Sequence, residues 1–121
     1  MDEPLYREYM LEHARHPRGR GELSGATHRA VGANPRCGDR CSLAMIAEGD
    51  TIVTCRWQGE GCALMTAALS VIAERFSGAT VASLRAMTDE EFLQLLGVTV
   101  SSGRLSCALV PLSAARSAFP S

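Results

Sequence analysis

The chain contains no lysine; all 12 of its basic residues are arginine. They are scattered, so the absence reads as a compositional bias and not as a binding device. No charge sign is in excess either: 12 basic residues face 13 acidic ones, for a formal net charge of −1. A protein that holds nucleic acid by neutralising phosphates shows a basic excess, so no nucleic-acid partner is expected. No apolar run approaches the roughly 18 residues that a spanning helix needs, so no membrane partner is expected. Repeats, low-complexity stretches and linkers are also missing. What is present is ordinary for a globular protein: 46% hydrophobic and 21% charged residues, which excludes disorder. A length of 121 residues makes residues 1–121 one domain with a real core.

The start, Met1-Asp2-Glu3-Pro4, is acidic and lacks the apolar stretch of an export signal, which sets the expectation of a cytoplasmic protein. Disulfides are rare in that reducing compartment. The five cysteines are an odd number and include no Cys-x-x-Cys pair. They are therefore read as metal ligands, nucleophiles or small core residues.

Periodicity predicts the elements. Leu5, Tyr9 and His13, widened by Met10 and Leu11, mark a helix over 4–14 that ends before His16-Pro17, because a residue preceding proline is pushed out of helical geometry. Three glycines between Arg18 and Gly25 predict a loop. Cys41, Leu43 and Met45, then Val53, Cys55 and Trp57, alternate with their neighbours in period two and predict two strands, each with one face inward. Glu48-Gly49-Asp50 is the hairpin turn between them. Thr27–Val31, before a Gly32-Ala33-Asn34-Pro35 turn, is the third strand of a meander. From Cys62 to Phe76 the pattern is helical, with Met65, Leu69, Ile72 and Phe76 on one face and Gly78 just past the end. Thr80–Leu84 and Thr88–Leu96 predict two short helices, the second opened by a Thr88–Glu91 capping box. A last helix is expected within Ser106–Phe119, with Leu105, Leu109, Leu112 and Ala115 inward. Pro111 there requires a kink or a late start. The fold class is α+β: a three-stranded antiparallel sheet packed against several helices.

Three cysteines lie outside core settings. Cys37 is in a turn, Cys62 follows Gly59-Glu60-Gly61 at the start of the long helix, and Cys107 is at the start of the last helix. The positive end of a helix dipole favours thiolate, the form that binds metal and attacks sulfur. The two glycines flanking Glu60 let backbone approach a ligand, and Asp39 can add a carboxylate. Three thiolates and one carboxylate suit zinc or one edge of an iron–sulfur cluster. By spacing alone this is suggestive only. Cys37 and Cys62 are separated by 24 residues and Cys62 and Cys107 by 44, which is not a zinc-finger pattern. Cys41 and Cys55 fall on inward strand faces and are read as core. His13 and His16 are read as surface or helix-end residues, not ligands; His28 as a loop or strand-start residue; and Trp57 as a core anchor.

The strings Asn34-Pro35-x-Cys37-Gly38-Asp39, Gly59-x-Gly61-Cys62-Ala63 and Arg104-x-x-Cys107 resemble the IscU/SufU/NifU-N-terminal family of iron–sulfur cluster assembly proteins. Leu5-Tyr6-Arg7 and His16-Pro17-Arg18 resemble the family's first helix and the turn behind it, so the resemblance covers nearly the whole chain. It implies a metal and cluster site of Cys37, Asp39, Cys62 and Cys107 at one exposed end, supported by Arg104 near the thiolates. It implies a transient iron–sulfur cluster, [2Fe–2S] being the type expected, or zinc in the same site. The partners implied are a cysteine desulfurase and apo iron–sulfur acceptor proteins, with Cys37 and then Cys107 as candidate persulfide acceptors. Arg36, Arg40 and Arg104 would surround the site and steer an acidic partner.

The chain also departs from the family. Ser106 stands where IscU proteins have His, and no Leu-Pro-Pro-Val-Lys string occurs in 98–103. Cys-Gly-Asp-Arg (37–40) and Arg-x-x-Cys (104–107) resemble the SufU branch, yet there is no room for that branch's insertion of some twenty residues between the last two cysteines. Three readings therefore stand open. One is a scaffold or carrier, not an enzyme. The second is a zinc-bound, sulfurtransferase-like sulfur acceptor that stimulates a desulfurase. The third is a structural zinc protein, which the Asp ligand and Gly-rich surroundings disfavour.

Overall fold

The computed structural model of the chain describes residues 4–34, 38–97 and 105–120, without the side chains of 4–7. Helix α1 (Pro4–Arg15) leads into strands β1 (His28–Asn34), β2 (Asp39–Glu48) and β3 (Thr51–Glu60). Helices α2 (Ala63–Phe76), α3 (Val81–Ala86), α4 (Asp89–Leu96) and α5 (Leu105–Ser117) follow. The strands form one antiparallel sheet in the order β1-β2-β3. The α+β meander expected from the sequence is the observed fold.

The hairpin turn is Gly49-Asp50, with Glu48 paired to Thr51 and Gly49 at φ +59°. Cys41, Leu43 and Met45 of β2 and Cys55 and Trp57 of β3 face inward and are buried. Val53 does not follow them. A register shift between Ile46 and Ala47 breaks the alternation, so Ile52 is buried and Val53 is exposed. A bulge adds a residue and switches the face beyond it. The other difference is in β1. Gly32, Ala33 and Asn34, expected in a turn, continue the strand and pair with Cys41, Arg40 and Asp39. Gly32 is needed there because α5 lies against it: a Cβ would stand 2.8 Å from Val110 Cγ1 and 3.2 Å from Ala114 Cβ.

Helix α2 is not amphipathic in the way its strongest stripe suggests. Leu64, Met65, Ala67, Ala68, Leu69, Ser70, Val71, Ile72, Ala73 and Phe76 are all buried, because α1, α5 and β3 all pack on it. A helix apolar nearly all round is a central helix. Each of Leu69, Ile72 and Phe76 contributes on the order of 2 kcal/mol by leaving water. Thr80 and Thr88 cap α3 and α4, and both halves of the Thr88–Glu91 capping box are formed. Helix α5 already starts at Leu105 and runs through Pro111, so the late start is not seen. Leu112 and Ala115 are buried as expected, whereas Leu105 and Leu109 are only half-buried. Cys107, Ala108, Pro111 and Ala114 complete its buried side.

His13 corrects the surface reading: it is 1% exposed. Its Nδ1 lies 2.6 Å from Ser70 Oγ, its Nε2 lies 3.6 Å from Glu74 Oε1, and its ring meets the edge of Tyr9. Ser70 Oγ also accepts the Arg18 amide N–H at 2.8 Å, and Trp57 Nε1–H donates to the Arg18 carbonyl at 2.7 Å. This chain of bonds fastens α1 and the loop behind it to α2 and the sheet. His16 is exposed, as expected.

Two tests follow from the packing. Gly32→Val should lower stability by about 1–3 kcal/mol through overpacking against α5, read as a lower denaturant midpoint with an unchanged slope. Burial, followed by the nearby Arg18 charge, lowers the His13 pKa from its ordinary 6.5. The unfolded state therefore takes up this proton first as pH falls. Stability should be flat above about pH 6.5 on this account and decline below it toward the lower folded pKa. Melting curves between pH 8 and 5 should show that decline, and His13→Gln should flatten it.

Candidate metal centre

Segments distant in sequence converge at one end of the sheet: the end of β1, the start of β2, the cap of α2 and the first turn of α5. Asp39 opens β2 on its inward face, directly across from Asn34. Its Oδ2 accepts the backbone N–H of Cys62 at 3.3 Å. Gly61 makes that approach feasible, since a Cβ there would lie 3.2 Å from Asp39 Cγ and 2.8 Å from Met65 Sδ. Gly59, the other glycine of the pair, instead permits strand contact, its Cβ position facing Arg40 and Cys41 of β2.

Cys62 is the N-cap residue of α2, with φ −69° and ψ 169°, and its side chain makes no capping bond. The thiol is therefore not spent on the helix's own amides. Cys107 is the third residue of α5 and is 3% exposed. Asn34, also 3% exposed, donates from Nδ2 to Ser106 Oγ at 3.0 Å and to Cys107 Sγ at 3.8 Å.

One carboxylate oxygen of Asp39 and the Sγ atoms of Cys62 and Cys107 lie within 4.8 Å of one another. Bonds of about 2.0–2.3 Å to a tetrahedral zinc place ligand atoms about 3.5–3.8 Å apart. A shift of about 1 Å thus closes the set around a metal. Two soft thiolates and one hard oxygen fit zinc or iron by chemistry as well as by spacing. Asp39 and Cys62 are half-exposed, so the centre is reached from solvent on that side.

Of the residues expected at the site, Asp39, Cys62 and Cys107 come together; Cys37, Arg36 and Arg104 lie outside the described residues. Arg40 does not surround the centre. It is exposed and points to the face of β2 opposite Asp39, as strand alternation requires. Cys41 and Cys55 are buried core residues. Burial pushes the Cys55 thiol up to about 12 and raises that of Cys41 as well, the latter opposed by a bond from the Gly32 backbone. A thiol held protonated neither ligates nor attacks. Asn34 is the residue that sequence reasoning misplaced. It reads as a turn former before Pro35, and only the strand register turns its side chain inward.

Known proteins resemble this chain in sequence and fold. The family model of the NifU-like N terminal domain matches residues 5–120. The zinc-dependent sulfurtransferase SufU of Bacillus subtilis is 31% identical over 84 residues, covering 69% of this chain and 56% of that protein. The chain thus accounts for little more than half of that relative's length. The iron–sulfur cluster assembly scaffold protein IscU of Thermotoga maritima is 29% identical over 101 residues, covering 84% of this chain and 71% of that one. Among solved structures, FiSufU of Fervidobacterium islandicum AW-1 superposes with a TM-score of 0.82 at 22% identity, over 93% of this chain and 95% of that one. The N-terminal NifU-like protein of Brucella abortus gives 0.79 at 21% identity, over 94% and 91%. These two show the same fold. Among the described residues, no helix is long and apolar enough to cross a membrane.

The Gly61 contact is testable. Gly61→Ala should displace the Asp39 carboxylate and weaken zinc binding about tenfold in chelator competition, with little change in the melting temperature. An unchanged zinc affinity would remove Gly61 from the site.

Proposed function

The chain belongs to the NifU-like N terminal domain family, and on that premise we propose that it is an iron–sulfur cluster assembly scaffold with a Cys3Asp site of Cys37, Asp39, Cys62 and Cys107. The observation that carries this reading is the convergence of one oxygen and two sulfur ligand atoms within 4.8 Å at a half-exposed corner. Cys37, two residues before Asp39 in sequence, is the fourth ligand. A structural zinc site is closed by four strong ligands; a carboxylate at an accessible corner suits cargo that must leave, because carboxylate is a weaker partner than thiolate for a soft metal. The cargo is a transient cluster, [2Fe–2S] being the smallest that such a site can hold on one edge. Its sulfur comes from a cysteine desulfurase, its recipients are apo iron–sulfur proteins, and its setting is the cytoplasm.

A second reading has a specific observation behind it: the Bacillus subtilis relative is named a zinc-dependent sulfurtransferase. On this reading zinc occupies the same residues and keeps the thiols ionised. In either case sulfur arrives by the same step. A thiolate of this chain attacks the outer sulfur of the desulfurase persulfide and forms a new S–S bond. The donor's S–S bond breaks, its cysteine leaves as thiolate, the proton stays on the transferred sulfur, and no electrons are gained or lost overall. Cys37 is the first acceptor. Cys107 is second, since it is 3% exposed and must be uncovered to attack.

Anaerobic assembly separates the readings. Metal-free protein is incubated with a cysteine desulfurase, cysteine and ferrous iron, then re-isolated and assayed for iron, acid-labile sulfide and zinc. Stoichiometric iron and sulfide, lost in Cys62→Ser or Cys107→Ser, is the expected result. Asp39→Ala should release its cluster to an apo acceptor several-fold more slowly; faster loss would contradict the role given to Asp39. Absence of cluster, with persulfide on the zinc-loaded protein and a faster desulfurase, would establish the relay reading. Mass mapping of the persulfide in Cys37→Ser and Cys107→Ser identifies the acceptor.

A further inference from the structure

Asn34 joins two ligand-bearing segments, and it does so with both its backbone and its side chain. Its carbonyl accepts the Gly38 N–H at 3.0 Å, which closes the turn between β1 and β2 immediately before Asp39. Its side chain leaves the strand on the inward face. There Nδ2 donates to Ser106 Oγ at 3.0 Å and to Cys107 Sγ at 3.8 Å. At 3% exposure this amide is out of water, where a hydrogen bond is strong and its loss is costly. Ala30 and Gly32, earlier on the strand and on the same face, are small and apolar. The position adjoins the thiol of α5 and the carboxylate of β2, its cross-strand neighbour.

We propose that Asn34 is a positioning residue for Cys107: its amide fixes where the Cys107 sulfur stands relative to Asp39 and Cys62 and presents that sulfur as a hydrogen-bond acceptor. An amide N–H can only donate, so the sulfur it faces is held as an acceptor, the role of a ligating or attacking thiolate. Ser106 takes the second N–H and stops the amide from rotating away. The tie joins α5 to β1 beside the metal centre, so strand register and helix docking together set the ligand geometry. Outer groups that orient ligands are worth 10–100-fold in metal affinity. This assignment rests on the reading that Cys107 holds metal or sulfur.

The test uses the full chain with Asn34→Ala and the isosteric Asn34→Asp, which keeps the shape but removes the donor. Zinc affinity is measured by chelator competition, and cobalt(II) loading reports the sulfur-to-metal bands. Both variants should bind zinc at least tenfold more weakly and show weakened sulfur-to-cobalt absorption. In a Cys107→Ser background, Asn34→Asp should cost no further zinc affinity, because its target is gone. A second readout needs no metal. In the metal-free protein, iodoacetamide alkylation followed by peptide mapping gives the rate at Cys107 relative to Cys62, which Asn34→Ala should raise at least fivefold. Zinc affinity within twofold of the parent and an unchanged cobalt spectrum in Asn34→Asp would overturn the proposal. So would a further tenfold loss in the Cys107→Ser background, which would mean a merely structural role. If the parent itself binds neither zinc nor cluster, the functional reading fails, and the alkylation ratio still decides whether Asn34 positions Cys107.

Discussion

Burial of α2 on nearly all sides is the constraint from which the rest of the molecule follows. A helix with ten buried residues among fourteen has little free surface on which to slide or turn. Sheet, α1 and α5 each occupy one of its sides, so its N-terminus has a fixed place over the inward face of β2. That N-terminus carries Cys62, whose amide reaches Asp39. The hydrophobic effect is non-directional and cannot aim a thiol. Close packing can, because interdigitated side chains leave one arrangement of the backbone. The metal centre is the polar corner of this packing, where three segments that share a core arrive with their ends side by side.

Five cysteines of one chain divide by environment. Cys41 and Cys55 lie on the inward strand faces beneath the helices, and burial holds both as neutral thiols. They act as small apolar side chains where a larger residue would overfill the layer. Cys62 and Cys107 are placed at helix beginnings, where backbone N–H groups lack intrahelical partners and negative charge is welcome. The same residue type therefore packs as core on a strand face or lines the candidate centre at a helix start.

How much of this was legible in the sequence follows from the same distinction. Period two and period 3.6 are local signals, and they located every element. The hairpin turn, the Thr88–Glu91 capping box and the grouping of Asp39, Cys62 and Cys107 needed no tertiary information beyond the family motifs. Val53 was misjudged because a bulge is a property of a strand pair, invisible in either strand alone. Gly32 to Asn34 carry turn chemistry, yet β2 and α5 hold them in the sheet, and Gly32 earns its place from contact with Val110 and Ala114. His13 reads as a surface or helix-end residue because its partners, Ser70 and Glu74, lie 57 and 61 positions away. Arg40 was placed at the site by proximity in sequence, although alternation sends the neighbour of an inward Asp39 outward. Apart from Arg40, which strand alternation alone turns outward, each miss concerns a relation between distant segments, which single-chain periodicity does not encode.

The corner's composition decides between holding and releasing. Three thiolates and a histidine would bind zinc or iron tightly, and a fully buried set would exchange slowly. Here Asp39 supplies oxygen, and Asp39 and Cys62 are half-exposed while Cys107 is buried. The site is thus anchored at its inner edge and open at its outer one. Cys107 is held by α5 and by the Asn34 amide, whereas the Asp39 carboxylate is tied, among the described residues, by a long 3.3 Å bond from a backbone amide. A ligand set with one fixed sulfur and one weakly held oxygen favours stepwise loss of cargo from the oxygen side. That polarity, written into burial, suits the proposed carrier role better than a structural zinc site.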